Sequence, residues 1–162
     1  GVRSVRPLFS HAKGISPVEV ISGACLMVSK DAFHAVGGFS LDYFMYTEDI
    51  DLCYKMRQAG FINYYINSAA VVHHGSGSSN QRKENSYANI QISESVFKFL
   101  KKTRGGLYAR GYRLTMLVVS LSRIGLISVL LIPSLFIGRF SPLSYSFVKW
   151  CSILRWTLRK NL

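Results

Sequence analysis

Short apolar runs separated by polar breakers divide the first eighty residues into small elements. Residues 18–28 (VEVISGACLMV) are rich in β-branched and apolar side chains, so they predict a buried strand. A short helix is predicted to begin at Ser29 or Lys30 and to end at Gly37-Gly38, because glycine readily adopts the left-handed conformation of a helix C-cap.

A second helix is predicted after an aromatic loop at residues 39–46. Thr47 has an N-capping side chain, and Glu48 and Asp49 fall in the first turn, where the positive end of the helix dipole favours negative charge. The helical spacing of apolar residues continues to Gly60, which ends the helix. The pattern therefore predicts a helix whose first turn is acidic.

The remaining segments predict two further strands, one loop and three longer helices. β-branched and aromatic residues indicate the strands, a Gly/Ser run indicates the loop, and apolar residues at helical spacing indicate the helices. In chain order they are strands 61–66 and 69–72, the loop 73–79, and helices 84–102, 107–133 and 143–158. The chain thus has an α/β first part and an all-helical second part.

Charge is distributed unevenly between those two parts. Residues 1–97 carry eight Lys and Arg and eight Asp and Glu, whereas residues 98–162 carry twelve Lys and Arg and no acidic residue. The whole net charge of +12 therefore belongs to the second part. We predict an α/β domain at 1–97 and a basic helical region at 98–162, and a region this basic needs an anionic partner.

Apolar content favours a membrane over nucleic acid as that partner. Residues 124–137 carry no charge, and Arg123 is the only charge from 114 to 138. Basic flanks around an apolar run are typical of an interfacial helix, and no nucleic-acid-binding motif is present. About 20 apolar residues are needed to cross a bilayer. Arg123 and Pro133 interrupt this run, so peripheral, monotopic or re-entrant attachment is favoured over a full span. A buried core helix of a soluble domain is the other alternative.

Three cysteines occur, at Cys25, Cys53 and Cys151. Their number is odd and no two are closely spaced. They therefore predict free thiols in a reducing compartment, and neither a disulfide framework nor a zinc site.

Three of the chain's eight acidic residues lie within four positions, at Glu48, Asp49 and Asp51. Successive residues on a helix point about 100° apart, so only one of Glu48 and Asp49 can face a given site squarely. A carboxylate presented in this way can act as a general base. The alternative is that the acids only cap the N-terminus of the helix, which is a common arrangement.

Two adjacent histidines, His73 and His74, precede a Gly/Ser run that contains Ser76. A neutral imidazole is a good ligand for a divalent ion, and the backbone amides of such a loop can hold phosphate oxygens. The alternative is a solvated loop in which the histidines bind nothing. No further His or Cys lies at zinc-ligand spacing, so a structural zinc site is not predicted.

Five blocks of residues occur in one order along the first half of the chain. They are Gly23–Val28, Gly37-Gly38-Phe39, Phe44–Leu52 with Thr47-Glu48-Asp49-Ile50-Asp51 inside it, Gly60, and Val71-Val72-His73-His74. In this order and spacing the chain resembles family 2 glycosyltransferases, and within them the rhamnosyltransferase-like enzymes of bacterial surface polysaccharide assembly. The resemblance covers about residues 18–80.

The resemblance implies the C-terminal half of a GT-A type α/β domain, followed by basic, membrane-associated α-helices. It implies inverting transfer of a sugar from a nucleotide-diphosphate sugar to an acceptor hydroxyl in cell-surface polysaccharide or glycolipid assembly. By similarity, Asp49 would be the general base and Glu48 would orient the acceptor or share the charge of the pair, while Asp51 would bond within its helix. His73 would contact the metal, a divalent cation such as Mg²⁺ or Mn²⁺, or the diphosphate. The residues implied to bind substrate are Gly23, Ala24, Tyr46, His74 and Ser76.

The resemblance also implies partners and a location. The partners are the nucleotide-diphosphate sugar, a saccharide or lipid-linked acceptor and an anionic membrane surface on the cytoplasmic side of the cell membrane, without nucleic acid. These enzymes carry an Asp-x-Asp motif for metal and diphosphate in an N-terminal half, and no such motif precedes Gly23. We therefore expect a chain that begins inside a longer protein and is inactive alone. The rival interpretation is a non-catalytic membrane-binding module.

Overall fold

The computed structural model describes residues 14–73, 84–137 and 141–159. The chain divides into two units, Gly1–Gly77 and Ser78–Leu162. The shift in composition at residues 97 and 98 falls inside a helix of the second unit. A division of function at that point stays a prediction.

The first unit combines a small antiparallel sheet with two helices. Its elements are β1 (Ile15–Val18), α1 (Lys30–Ala35), α2 (Glu48–Gln58) and β2 (Asn63–Ile66). The two strands pair with Ile15 opposite Ile66 and Val18 opposite Asn63. Among the described residues this is the whole sheet, so the structure holds more helix and less strand than the predicted α/β class implied.

The strand predicted at 18–28 is wrong, because pairing ends at Val18 and the following residues are mostly exposed. After that point the backbone bonds to side chains of α2 in place of a neighbouring strand. The N–H of Ile21 donates to Cys53 Sγ at 3.4 Å, and the N–H of Gly23 donates to Asp49 Oδ2 at 2.8 Å. The β-branched residues favour an extended backbone, but a strand forms only where a neighbouring strand supplies the backbone hydrogen bonds.

The predicted strand at 69–72 is also wrong, since those residues are irregular and exposed. The predicted strand at 61–66 is confirmed in its second half, as β2. The residues of β2 pair with those of β1, whereas residues 69–72 have no described strand beside them.

Both predicted helices of the first unit are confirmed. The Ser29 side chain accepts from the N–H of Ala32 and caps α1, and Gly38 follows the helix at a φ of 64°. A Cβ at position 38 would lie 3.0 Å from the Phe33 ring, so both the backbone angle and the contact require glycine there. α2 ends two residues before Gly60, as its apolar spacing predicted.

The structure contradicts the expected capping role of Thr47. Thr47 occupies the N-cap position, but its φ is 72° and its side chain makes no capping bond. Only an extended backbone at the N-cap aims the hydroxyl at the free N–H groups of the first turn. Thr47 is instead left-handed and buried.

The described residues of the second unit form three helices that all pack against one another. They are α3 (Glu84–Arg104), α4 (Gly106–Ile137) and α5 (Ser141–Thr157). Gly105, with a φ of 89°, separates the first two. Phe97, Ala109 and the fully buried Trp156 form the core of this unit. The helices predicted from apolar spacing are therefore confirmed.

Two expectations about the second unit change. α4 continues through Pro133 to Ile137, because a proline removes a single N–H donor and a helix can pass it. Of the helices in the described ranges, Gly106–Leu130 is long and apolar enough to cross a membrane, and few of its residues are buried. The length of the apolar helix therefore no longer argues against a transmembrane span.

Candidate functional site

Asp49 lies in the first turn of α2, and backbone groups fix its carboxylate. The N–H of Gly23 donates to Oδ2 at 2.8 Å, and the N–H of Ile50 donates to Oδ1 at 2.9 Å. A carboxylate oxygen can accept more than one hydrogen bond, so both oxygens keep acceptor capacity. The side chain is half-buried, which leaves part of it accessible. An oriented and accessible carboxylate is the arrangement that a general base requires.

Gly23 lies close enough to Asp49 that its lack of a side chain matters. A Cβ at position 23 would be 3.4 Å from the Cβ of Asp49 and 3.5 Å from Oδ2. A methyl group would fit at van der Waals contact, whereas a branched side chain would displace the carboxylate. The structure therefore brings together the predicted substrate-binding glycine and the predicted base across 26 positions of sequence.

Two left-handed residues lead into this helix. Tyr46 has a φ of 69° and Thr47 a φ of 72°, and they are the only residues other than glycine with positive φ in the described part of the chain. That conformation costs roughly 1–2 kcal/mol per residue, and a β-branched threonine adopts it rarely. Strain of this kind persists only where surrounding contacts hold it, and it concentrates at functional sites.

Asp51 supplies contacts that hold this segment. Its carboxylate is fully buried and accepts from the hydroxyls of Ser40, in a very short bond, and Tyr43, at 3.3 Å. Lys55 Nζ lies 3.5 Å from Asp51 Oδ2 and donates to Ser40 Oγ at 3.1 Å and to the Gly38 carbonyl. Asp51 thus ties the loop before the site to the body of α2, beyond the bonding within the helix that the resemblance implied.

Burial changes the acid–base behaviour of two side chains around α2. Burial, and then the negative charge of Asp51 with its hydrogen bond, raise the pKa of Tyr43 far above its ordinary value. Burial also raises the pKa of the Cys53 thiol, which contacts the N–H of Ile21. Both groups therefore stay protonated near neutral pH and act as structural contacts.

Glu48 has an unusual environment for a carboxylate. Its Oε2 atom is buried and has no hydrogen-bond donor among the described residues. A buried acceptor without a partner costs about 1–3 kcal/mol, and more when it is charged. A bound hydroxyl next to Glu48 would supply the missing donor. This suits the predicted role of orienting the acceptor, which stays a prediction.

Of the other predicted site residues, Ala24, Tyr46 and His73 lie within the described residues, and none of them is hydrogen-bonded to Asp49. The N–H of Ala24 donates to Ser22 Oγ at 3.3 Å, and Tyr46 is half-buried beside the N-terminus of α2. His73 is exposed beyond β2, and no hydrogen bond or ion pair links it to Glu48 or Asp49. The remaining two predicted substrate-binding residues, His74 and Ser76, lie outside the described residues.

The predicted divalent cation would need donor groups that lie close together. Within 14–73, 84–137 and 141–159, no three His, Cys, Asp or Glu side chains lie close enough together to hold a metal ion. Divalent cations of this class need several oxygen or nitrogen ligands. His73 alone is at most one ligand, so the described residues do not form a complete metal site.

The sequence did not indicate the role of Asn63, which supports the segment and the helix that carry the site. Asn63 Nδ2 donates to the carbonyls of Glu19, at 3.1 Å, and Cys53, at 3.2 Å, so it joins β2, the segment after β1 and α2. A signal for Asp51 was present, since residues 49 and 51 lie about 200° apart around a helix. One of the two must therefore face inward. Asn63 gave no such signal.

One surface depression lies away from the acidic turn. It has a volume of about 430 Å³ and is lined by Pro17–Glu19, Arg57 and Gly60–Asn63. None of the predicted site residues lines it. Because it is open and contains no oriented base, we assign the candidate site to the N-terminus of α2.

The sequence of the chain is similar to those of known glycosyltransferases. The profile of the family described as glycosyl transferase family group 2 matches residues 6–159, so it covers both units. N-acetylglucosaminyl-diphospho-decaprenol L-rhamnosyltransferase of Mycobacterium tuberculosis is 37% identical over 100 residues, which is 62% of this chain and 32% of that protein. Rhamnosyltransferase WbbL of Escherichia coli K12 is 32% identical over 87 residues, 54% of this chain and 32% of that protein.

A third similarity covers a shorter stretch of the chain. The low-salt glycan biosynthesis hexosyltransferase Agl10 of Haloferax volcanii is 36% identical over 44 residues, which is 27% of this chain and 14% of that protein. The chain thus spans about a third of the length of the two rhamnosyltransferases. No solved structure matches the chain significantly.

Proposed function

The chain belongs to glycosyl transferase family group 2, and from that premise we propose that it forms the acceptor-side half of a GT-A type glycosyltransferase. The enzyme transfers a sugar, rhamnose or another hexose, from a nucleotide-diphosphate sugar to an acceptor hydroxyl in cell-surface polysaccharide or glycolipid assembly. The names of the relatives, two rhamnosyltransferases and one hexosyltransferase, support this choice. The observation that carries it is the Asp49 carboxylate held 2.8 Å from the N–H of Gly23.

Asp49 acts in this proposal as the general base. A sugar hydroxyl is a poor nucleophile, so a positioned base that takes its proton accelerates attack by about 10²–10⁴-fold. The acceptor oxygen bonds to the anomeric carbon of the donor while the bond from that carbon to the diphosphate breaks, and the proton passes to Asp49. A single displacement of this kind inverts the anomeric centre and needs one carboxylate. Glu48 orients the acceptor through its unpartnered oxygen.

The donor is bound elsewhere in this proposal. No Asp-x-Asp motif precedes Gly23, and the chain aligns with about a third of each rhamnosyltransferase. A divalent cation, Mg²⁺ or Mn²⁺, would neutralise charge on the diphosphate leaving group when bound. The described residues do not form its site, so no step is assigned to it here. His73 stays the residue that the family resemblance predicts as a metal contact.

The second unit attaches the enzyme to the membrane in which lipid-linked acceptors reside. Twelve Lys and Arg without any acid between 98 and 162, together with the exposed apolar helix α4, support attachment to the cytoplasmic, anionic surface. Attachment in the plane of the surface is proposed over a span of α4, because a span would place Arg123 within the bilayer core. An arginine at mid-bilayer costs roughly 2.5–3.5 kcal/mol on insertion scales.

Replacing Asp49 tests the catalytic proposal. Asp49→Asn keeps the shape of the side chain and an acceptor for the Gly23 N–H but removes the base, so sugar transfer by the full-length enzyme should fall by about 10²–10⁴-fold. Asp31→Asn is the matched control, because Asp31 is an exposed acid in the first turn of α1. Circular dichroism and the melting temperature should match the wild type for both variants.

The same experiment separates the rival function. A non-catalytic membrane-binding module would use its acidic turn only as a helix cap. Unchanged transfer by the Asp49→Asn variant, with its fold intact, would leave that module as the better interpretation.

A further inference from the structure

Two cations share one tryptophan where α4 packs against α5. The guanidinium carbon of Arg123 lies 5.9 Å from the centroid of the Trp150 ring, and Lys149 Nζ lies 5.6 Å from it. Trp150 is half-buried, which fixes the ring, while Arg123 is exposed. These three residues are called the Trp150 cluster below.

The Trp150 cluster has no acidic residue within reach on its own helices. Neither α4 nor α5 contains Asp or Glu, since the last acid in the sequence is Glu94. Glu94 itself pairs with Lys98, 3.3 Å away on α3. Attraction to an aromatic ring offsets little of the repulsion between two like charges, so the cluster favours an anion from outside the chain.

The exposed apolar face of α4 indicates where that anion comes from. Five exposed side chains fall within about 80° of one another around the helix axis. They are Leu107, Leu114, Val118, Leu121 and Val129. Arg123 lies about 160° from the centre of this stripe, on the far side of the helix. Leu126 and Leu130 are exposed on that side as well, so α4 exposes apolar and cationic groups together, as the boundary between acyl chains and headgroups requires.

We propose that the Trp150 cluster binds the phosphate of an anionic lipid headgroup and so holds α4 in the plane of the membrane, with its apolar stripe toward the acyl chains. Arg and Lys bind a phosphate by charge-assisted hydrogen bonds, and tryptophan is favoured at headgroup depth. The inference rests on the membrane attachment proposed above and adds its binding site and its orientation. It also accounts for Arg123, which has no partner in a bilayer core but has one at the headgroup level.

Tryptophan fluorescence can measure the depth of the cluster, because the chain contains only Trp150 and Trp156. Trp156 is fully buried in the core of the helical unit, so Trp150 is the residue that a membrane can reach. In the full chain carrying Trp156→Phe, emission from Trp150 should shift to the blue on vesicles containing phosphatidylglycerol. Lipids brominated near the headgroup should quench it more strongly than lipids brominated near the chain ends. Stronger quenching by the deep bromines would overturn the orientation.

Vesicle sedimentation tests the site independently of the fluorescence variant, and it needs no core substitution. The double variant Arg123→Gln/Lys149→Gln should lose at least about tenfold more partitioning onto phosphatidylglycerol vesicles than Lys101→Gln/Arg104→Gln, since each basic residue near the surface contributes about fivefold. The second pair removes the same charge from exposed positions of α3. Equal losses from the two pairs would overturn the site while leaving membrane attachment standing.

Two further arms separate the remaining outcomes. If the wild-type chain shows no salt-dependent sedimentation with anionic vesicles, both the attachment and the site are wrong, whereas the catalytic proposal is judged by Asp49 alone. A shift of Trp150 emission by micromolar ADP without lipid would show that the cluster takes a soluble diphosphate, and this too would overturn the proposal.

Discussion

At the scale of single residues, the close approach of Gly23 to Asp49 is the feature on which the site depends. The carboxylate is aimed by two backbone N–H groups, one of them from a segment 26 positions earlier. A side chain larger than a methyl group at position 23 would compete with Asp49 for the same space. The glycine is therefore part of the geometry of the base.

Two substitutions of Gly23 should distinguish a side chain that fits beside Asp49 from one that displaces its carboxylate. Gly23→Ala places a methyl group at 3.4 Å from Asp49 Cβ and should leave transfer largely intact. Gly23→Val should lower kcat by about 10²-fold, as expected when a catalytic group moves by about 1 Å. Steady-state kinetics of the two variants, alongside their melting temperatures, measure the difference. Equal kcat values for the valine and alanine variants would contradict this account.

Tyr43 should make the stability of the first unit depend on pH in the alkaline range. Burial and Asp51 raise its pKa in the folded state, so the fold favours the protonated phenol. The resulting stability is fully present below the unfolded pKa of about 10 and is lost as the pH rises above it. The melting temperature of the wild type minus that of Tyr43→Phe should be constant below pH 10 and fall above it. A difference independent of pH would show that Tyr43 does not keep its proton.

Sequence predicted only part of the site at this scale. The acidic turn and Gly23 were found through their spacing and the family they resemble. The partners of Asp51 were not, because Ser40 and Tyr43 reach it across a loop whose path no local pattern specifies. The left-handed backbone at Tyr46 and Thr47 was hidden as well, since neither residue type prefers it.

At the scale of elements, α2 and the loop before it form one structural unit. The buried carboxylate of Asp51 and the ammonium of Lys55 hold Gly38 and Ser40 against the helix. Removing one partner of a buried ion pair destabilises the fold more than replacing both partners with apolar residues, because the remaining charge is left buried without a counter-charge.

Asp51→Ala should therefore destabilise the first unit by about 3–5 kcal/mol, and Asp51→Asn by less, since the amide keeps an acceptor. Urea denaturation followed by tyrosine fluorescence or circular dichroism gives the free energy of unfolding. Asp49→Asn serves as the neighbouring control and should change it little. A wild-type unfolding free energy for Asp51→Ala would show that the loop is held by other contacts.

Helices and strands differ in how well the sequence announced them. Every predicted helix is present, because helical spacing and terminal glycines such as Gly60 and Gly105 are local signals. Residues 18–28 have strand composition but form no strand, since pairing is decided by distant residues. The same limit explains why residues 69–72 were assigned wrongly.

At the scale of the whole molecule, family membership extends over both units. The family profile reaches residue 159, well beyond the 18–80 block that carried the first resemblance. The helical unit is thus part of the family pattern. Trp156 and Tyr112 illustrate this, because the centroids of their rings lie 6.1 Å apart in its core. Composition could not distinguish core aromatics from interfacial ones.

The absence of an Asp-x-Asp motif before Gly23 leads to a binding prediction for the chain as a whole. Isothermal titration of the isolated chain with a nucleotide diphosphate and Mn²⁺ should give no micromolar binding, because the described residues hold no metal site. A polypeptide that also carries an Asp-x-Asp domain is the positive control. Micromolar binding by the isolated chain would contradict the assignment of the donor to another part of the protein.

Arg113 on α4 has a consequence for the order in which the helical unit folds during synthesis. It donates through Nε to the Thr157 carbonyl at 2.8 Å and through a terminal nitrogen to the carbonyl of Arg159. Those acceptors are made 44 and 46 residues after the donor. At about 5–20 residues per second, α4 waits roughly 2–9 s for the end of α5. During that interval the nascent helix presents its packing face as well as its apolar stripe, and a chaperone or a membrane can meet both.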